Sequence, residues 1–126
     1  MKKIAVSVIL ATLSFGTSAM KMPEADFSKV SVEACQIVRK VVTDAGELTK
    51  PLSSPTVMEM SDHITDYNYR VMADYYEAVS DAMVTQNVDL LDGKDIEKVE
   101  DTKRDMMDET FKGVHYFVEK RTCVGL

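Results

Sequence analysis

Only two cysteines, Cys35 and Cys123, occur in this chain of 126 residues, and nearly ninety positions separate them. What they can do depends on where the chain goes. Lys2 and Lys3, an apolar run over residues 4–15 and the small residues Gly16, Thr17, Ser18 and Ala19 have the layout of a cleavable secretory leader. The run is about a dozen residues, short of the ~20 that a spanning helix needs, and no later segment is continuously apolar. Small residues before the cut and polar ones after it also weigh against an uncleaved anchor. Export to the periplasm would deliver the cysteines to a compartment where disulfides persist. One bond between Cys35 and Cys123 is therefore expected, ahead of the alternative in which each bridges to a second copy. In the chain-entropy view, closing so long a loop removes roughly 4 to 5 kcal/mol of unfolded-state freedom, comparable with the whole stability of a small domain.

Cleavage after Ala19 removes 19 of the 126 residues and leaves 107, residues 20–126, enough for one domain with one modest core. Its apolar residues recur at helical spacing. Phe27, Val30, Ala34, Ile37, Val38, Val41, Ala45 and Leu48 mark a first helix over about residues 25–45, with Cys35 beside the stripe and Gly46 as its stop. Pro51 and Pro55 break the chain, and Ser54 followed by Pro55 predicts a helix start. Val57, Met60, Ile64, Tyr67, Val71, Tyr75, Ala78 and Ala82 then keep a near-heptad rhythm, widened by Met72, Val79 and Met83. That predicts one long helix to about residue 86, or a short piece with a restart capped by Ser61 and Asp62. After the turn at Asp92 and Gly93, a third helix from about Asp95 would face Ile96, Val99, Met106, Met107, Thr110, Val114, Phe117 and Val118 inward. Glu100 with Arg104 and Asp108 with Lys112 would pair outward. The expected fold is all-α, a small bundle of three to four amphipathic helices closed by one disulfide. A Met-bearing seam on so small a bundle suggests a homodimer.

Charge narrows the partners. Without Lys2 and Lys3, 13 of the 15 basic residues remain against 21 acidic ones, a net charge of about −8. Nucleic acid and anionic membrane both call for a basic patch, so neither is expected, whereas a basic protein would be attracted.

Chemistry finds little footing. Met58, Met60 and His63 tempt a cuprous-ion reading, but Met60 falls on the core stripe and methionine fills core gaps. No Cys-x-x-Cys-His occurs for haem attachment, and His63 and His115 are the only histidines. Asn87, Asp89, Asp92, Gly93, Asp95 and Glu100 crowd one turn. An EF-hand register starting at Asn87 nevertheless puts Leu91 where an oxygen ligand belongs and Asp92 where glycine belongs. With both cysteines bonded and no phosphate-cradling glycine loop, no catalytic set can be nominated, and no cofactor or metal is expected.

A surface for protein contact is what remains. Asp62, Asp66, Tyr69 and Tyr76 fall along one line of the second helix, opposite its core stripe, with Arg70 beside them. Tyrosine and arginine often anchor interfaces, and flanking carboxylates select basic partners; the plainer alternative is that both tyrosines cover a neighbouring helix with their hydroxyls wet. The leader, the Cys35 and Cys123 pair and the helical pattern over residues 25–121 resemble the small periplasmic immunity proteins that neutralise peptidoglycan-cleaving effectors of type VI secretion. The resemblance implies a non-enzymatic inhibitor that occludes the basic cleft of a lysozyme-like hydrolase, and it carries over no individual residue. Periplasmic acid-stress chaperones are also small, helical and single-disulfide, and they form the main alternative. Their short tryptophan-cysteine motif has no counterpart in a chain without tryptophan. Copper handling through Met58, Met60 and His63 is the second alternative.

Overall fold

The computed structural model describes residues 20–126; the leader assigned to residues 1–19 lies outside the described residues. Three helices follow one another, α1 (Phe27–Asp44), α2 (Ser54–Thr85) and α3 (Gly93–Lys120), with no strand among the described residues. The all-α expectation holds at three helices, because α2 runs unbroken through Ser61 and Asp62.

Each start is set by a side chain that satisfies backbone N–H groups the helix leaves unpaired. Asp26 caps α1, its Oδ1 accepting from the Ser28 N–H (3.1 Å) and hydroxyl (2.6 Å), and the Ser28 hydroxyl first of all holds this carboxyl below its usual range. Ser53, one residue earlier than the sequence suggested, caps α2, with Pro55 in the first turn where its missing N–H costs nothing. Asp92 caps α3, which begins at Gly93, two residues ahead of the expected start, in a reciprocal box with Asp95. Gly46 at φ +72° ends α1, and Arg121 in the left-handed region at φ +57° ends α3.

Two buried clusters hold the helices together. The first joins Val30, Ala34, Cys35, Val38, Val41 and Val42 of α1 to Met60, Ile64 and Tyr67 of α2 and Phe117 of α3. The second gathers Tyr75 and Val79 of α2, Val99 and Met106 of α3, and Met20. Length explains the division. At 1.5 Å per residue, the 18 residues of α1 span about 27 Å and the 32 of α2 about 48 Å, so α1 cannot cover the far end. The segment before α1 covers it instead: Met20 is buried there, and the Lys21 backbone makes both hydrogen bonds to the Gln86 carboxamide (2.9 and 2.8 Å).

The helices do not share contact equally. α1 packs most extensively on α3, and α2 and α3 touch least. Gly113 makes the first interface possible: a Cβ there would stand 2.1 Å from the Ser31 carbonyl oxygen and 3.1 Å from the Ala34 methyl. The disulfide between Cys35 and Cys123, with Cα atoms 5.9 Å apart, ties the middle of α1 to the residues after α3.

This close crossing also corrects several sequence expectations. Because Gly113 and Phe117 meet α1, the residues about 100° around α3 are turned away from it, and Ile96, Met107 and Val118 are exposed rather than inward. Ala45 at the end of α1, Leu48 in the loop after it and Val57 in the first turn of α2 are exposed too. Cys35 lies within the α1 core stripe, not beside it. The outward pairs on α3 form at three-residue spacing, Glu100 with Lys103, Asp101 with Arg104 and Glu109 with Lys112, instead of the four-residue pairs expected.

A candidate interaction surface on α2 and α3

The five α2 residues singled out from the sequence do not form one patch. Asp62, Asp66 and Tyr69 are exposed together on the outer side of the helix, one turn apart, and Tyr69 stands 69 % exposed. Arg70 turns toward α1: its guanidinium lies 5.4 Å from the Tyr67 ring centroid, beside a cleft walled by Glu33 and Asp74. There the buried Tyr67 hydroxyl donates to Glu33 Oε1 at 2.7 Å, and its phenol is pushed well above its usual value, by burial first and by Glu33 second. Tyr76 turns the other way, toward α3, where the Lys103 ammonium sits 5.7 Å from its ring centroid. That contact with Tyr76, followed by Glu100, raises the Lys103 ammonium above the ordinary lysine value. The covering role weighed for the tyrosines thus fits Tyr76, and the free-anchor role fits Tyr69.

Between the first half of α2 and the second half of α3 lies a groove that the sequence reading did not find. Val57, Ile64 and Thr65 form one wall and Phe111, Val114 and Val118 the other, enclosing about 440 Å³. The Thr110 hydroxyl, donating to Asn68 Oδ1 at 2.8 Å, closes one end. The other end opens toward Leu52 and the loop between α1 and α2. A sequence signal existed, since Met107, Phe111, Val114 and Val118 repeat at four, three and four residues. They merge with the neighbouring core stripe unless the tight crossing at Gly113 is known.

The remaining candidates disperse. Met60 is buried, Met58 is 68 % exposed on another side of α2, and His63 faces a third direction with Nε2 3.6 Å from Glu59. One ion cannot take all three as ligands in this fold. Asp92 and Asp95 of the acidic turn are occupied in capping α3. Asp95 is buried, its Oδ2 accepting from the Asp92 N–H and its Oδ1 without a partner among the described residues. No group of three or more His, Cys, Asp or Glu side chains among the described residues is placed to hold a metal ion. His115 is exposed on α3. Among the described residues no helix is long and apolar enough to cross a membrane.

Comparison of the chain with known protein families, with curated proteins and with solved structures gives no match.

Proposed function

We propose that the protein is a periplasmic immunity protein that binds a basic, lysozyme-like cell-wall hydrolase and inhibits it by occluding the active-site cleft. The observation that carries this reading is the exposed row of Asp62, Asp66 and Tyr69 on α2, two carboxylates and an unburied aromatic ring one helical turn apart. A cleft that binds glycan strands is concave and offers basic and polar groups. A rigid helix bearing acids and a tyrosine complements it in shape and charge, and sites on helices hold their geometry better than sites on loops. Arg70 and Tyr76, held against Tyr67 and Lys103, would flank the contact. The net negative charge speeds encounter with a basic enzyme and discourages nucleic acid and anionic lipid.

The test uses the processed protein and a periplasmic hydrolase recovered on it or encoded beside its gene, with clearance of a peptidoglycan suspension as the readout. Stoichiometric inhibition is expected, and Asp62→Lys with Asp66→Lys should weaken it by about 100-fold or more while the melting temperature stays put. Undiminished inhibition by that double variant would remove the site. Failure of the wild type to inhibit any hydrolase, joined to client binding that appears only near pH 3, would replace the reading with the acid-stress chaperone.

A further inference from the structure

The groove between α2 and α3 has apolar walls and an acidic border. From Val57 to Asn68 it follows α2 for about 16 Å, three helical turns. Val57, Phe111 and Val118 stay about half exposed in it, an apolar surface that no segment of the described chain covers. Along residues 54–69 α2 carries neither lysine nor arginine; of its three acids Asp62 stands nearest the groove, whereas Glu59 faces α1 beside Ile37 and Lys40 and Asp66 lies farther round the helix. Asp62 and Tyr69 lie one turn from the wall residue Thr65 and form the outer lip of the groove. On the α3 side Asp108, Lys112, His115 and Glu119 share one exposed stripe beside the wall, with Lys112 3.9 Å from Glu109; Arg104, beyond the closed end, is paired with Asp101 at 2.6 Å.

We propose that this groove docks an amphipathic helix of a partner protein, a stripe of aliphatic side chains entering between Ile64 and Val114 and lysines or arginines meeting Asp62 on the α2 lip and Asp108 and Glu119 on the α3 side. The length fits three turns, the apolar walls fit the stripe, and a border richer in carboxylates than in cations fits basic flanks. A second copy fits less well, because it would bring two acidic lips together in a protein of net negative charge. The inference rests on the reading of the protein as a binder of basic proteins, but it needs no hydrolase activity. It adds an anchoring element distinct from cleft occlusion.

The chain contains no tryptophan, so one placed in a probe peptide reports its own burial. The probe is a synthetic helix of about 18 residues with leucines at i, i+3, i+4 and i+7, lysines elsewhere and one central tryptophan; its counterpart has glutamate for every lysine. Mixing with the processed protein should blue-shift the tryptophan emission for the lysine peptide alone, and salt should weaken the binding. Val57→Lys with Phe111→Lys, at positions already half exposed, should weaken it at least about tenfold, by loss of apolar contact and charge repulsion. Thr65→Arg should weaken it in the same direction without touching the core. Leu90→Lys, an equally apolar but remote exposed site, should leave it unchanged. Absence of binding by the wild type, equal binding of the glutamate peptide, or undiminished binding by both groove variants overturns the proposal. A wild-type dimer that the groove variants dissociate overturns it as well, because the occupant is then a second copy. Inhibition of a hydrolase in the face of any of these outcomes leaves the occlusion reading intact and removes only the helix-docking groove.

Discussion

One side of α3 is locked and the other is open. Toward α1, Gly113 lets two backbones approach within the space of a missing methyl group, Phe117 is fully buried, and a disulfide fixes the exit of the helix. Toward α2, contact is sparser: Tyr75 and Val79 pack on Val99 and Met106, Tyr75 meets Thr102 (3.4 Å) and Thr110 meets Asn68, and beyond them the helices diverge into the groove. The difference teaches how a domain of this size holds exposed apolar surface without collapsing onto it. Rigidity comes from α1 and α3, and α2 can spend one flank on its neighbours and leave the other for recognition.

The largest effect should come from removing the bond that locks the first pair. Cys35→Ala with Cys123→Ala frees a loop spanning 88 positions and should cost roughly 4 to 5 kcal/mol in urea denaturation, a large share of the stability of a small domain. A loss below about 1 kcal/mol would mean that the interlocked α1 and α3 need no covalent tie. Next comes a paired substitution two residues apart on α3. Gly113→Ala drives a methyl into the Ser31 carbonyl and should cost about 3 kcal/mol despite its gain in helix propensity. Phe111→Ala, on the groove wall and half exposed, should cost at most ~1 kcal/mol. Equal costs at the two positions would erase the contrast between the two sides.

Part of this contrast could be read from the sequence. The disulfide, the long α2 and the methionine-bearing core stripe followed from spacing and composition, because a helix buries what recurs at three and four residues. The direction in which α3 faces did not. Its sequence holds two apolar stripes about 100° apart, and the choice between them is made by Gly113, a residue whose contribution is the absence of a side chain. Ser31 is buried against the same crossing, and hydropathy misses it because it is small and polar, whereas Thr110, placed inward by its spacing, is buried as expected. On α2 the pattern placed Asp62, Asp66 and Tyr69 correctly on an outer face. Arg70 and Tyr76 were grouped with them because helical angle alone does not show that Tyr67 and Lys103 draw their side chains aside.

The smallest predicted effect concerns how α2 is held where the groove opens. No interlocked crossing secures that end. Instead, Glu47 after α1 accepts from the Ser53 N–H and hydroxyl (both 2.8 Å) at the start of α2, and the Arg121 guanidinium donates to the carbonyls of Glu47, Leu48 and Lys50 at 3.0, 3.1 and 2.9 Å. The Ser53 backbone bond, followed by its hydroxyl, holds the Glu47 carboxyl below its ordinary value of 4.5. The folded state therefore binds this proton more weakly than the unfolded chain does. The stabilisation is present above that ordinary value and is lost as pH falls through the lower folded value. Glu47→Gln should accordingly lower the melting temperature slightly at pH 7, and the deficit should shrink as both proteins are taken from pH 5 toward pH 3. Amide exchange should locate the acid-induced loosening at residues 47–57, with the amides around Gly113 and Phe117 still protected. A deficit that stays constant with pH would show that Glu47 acts through shape alone, and exchange that rises first around Gly113 would assign the weaker side of the molecule to α1 and α3.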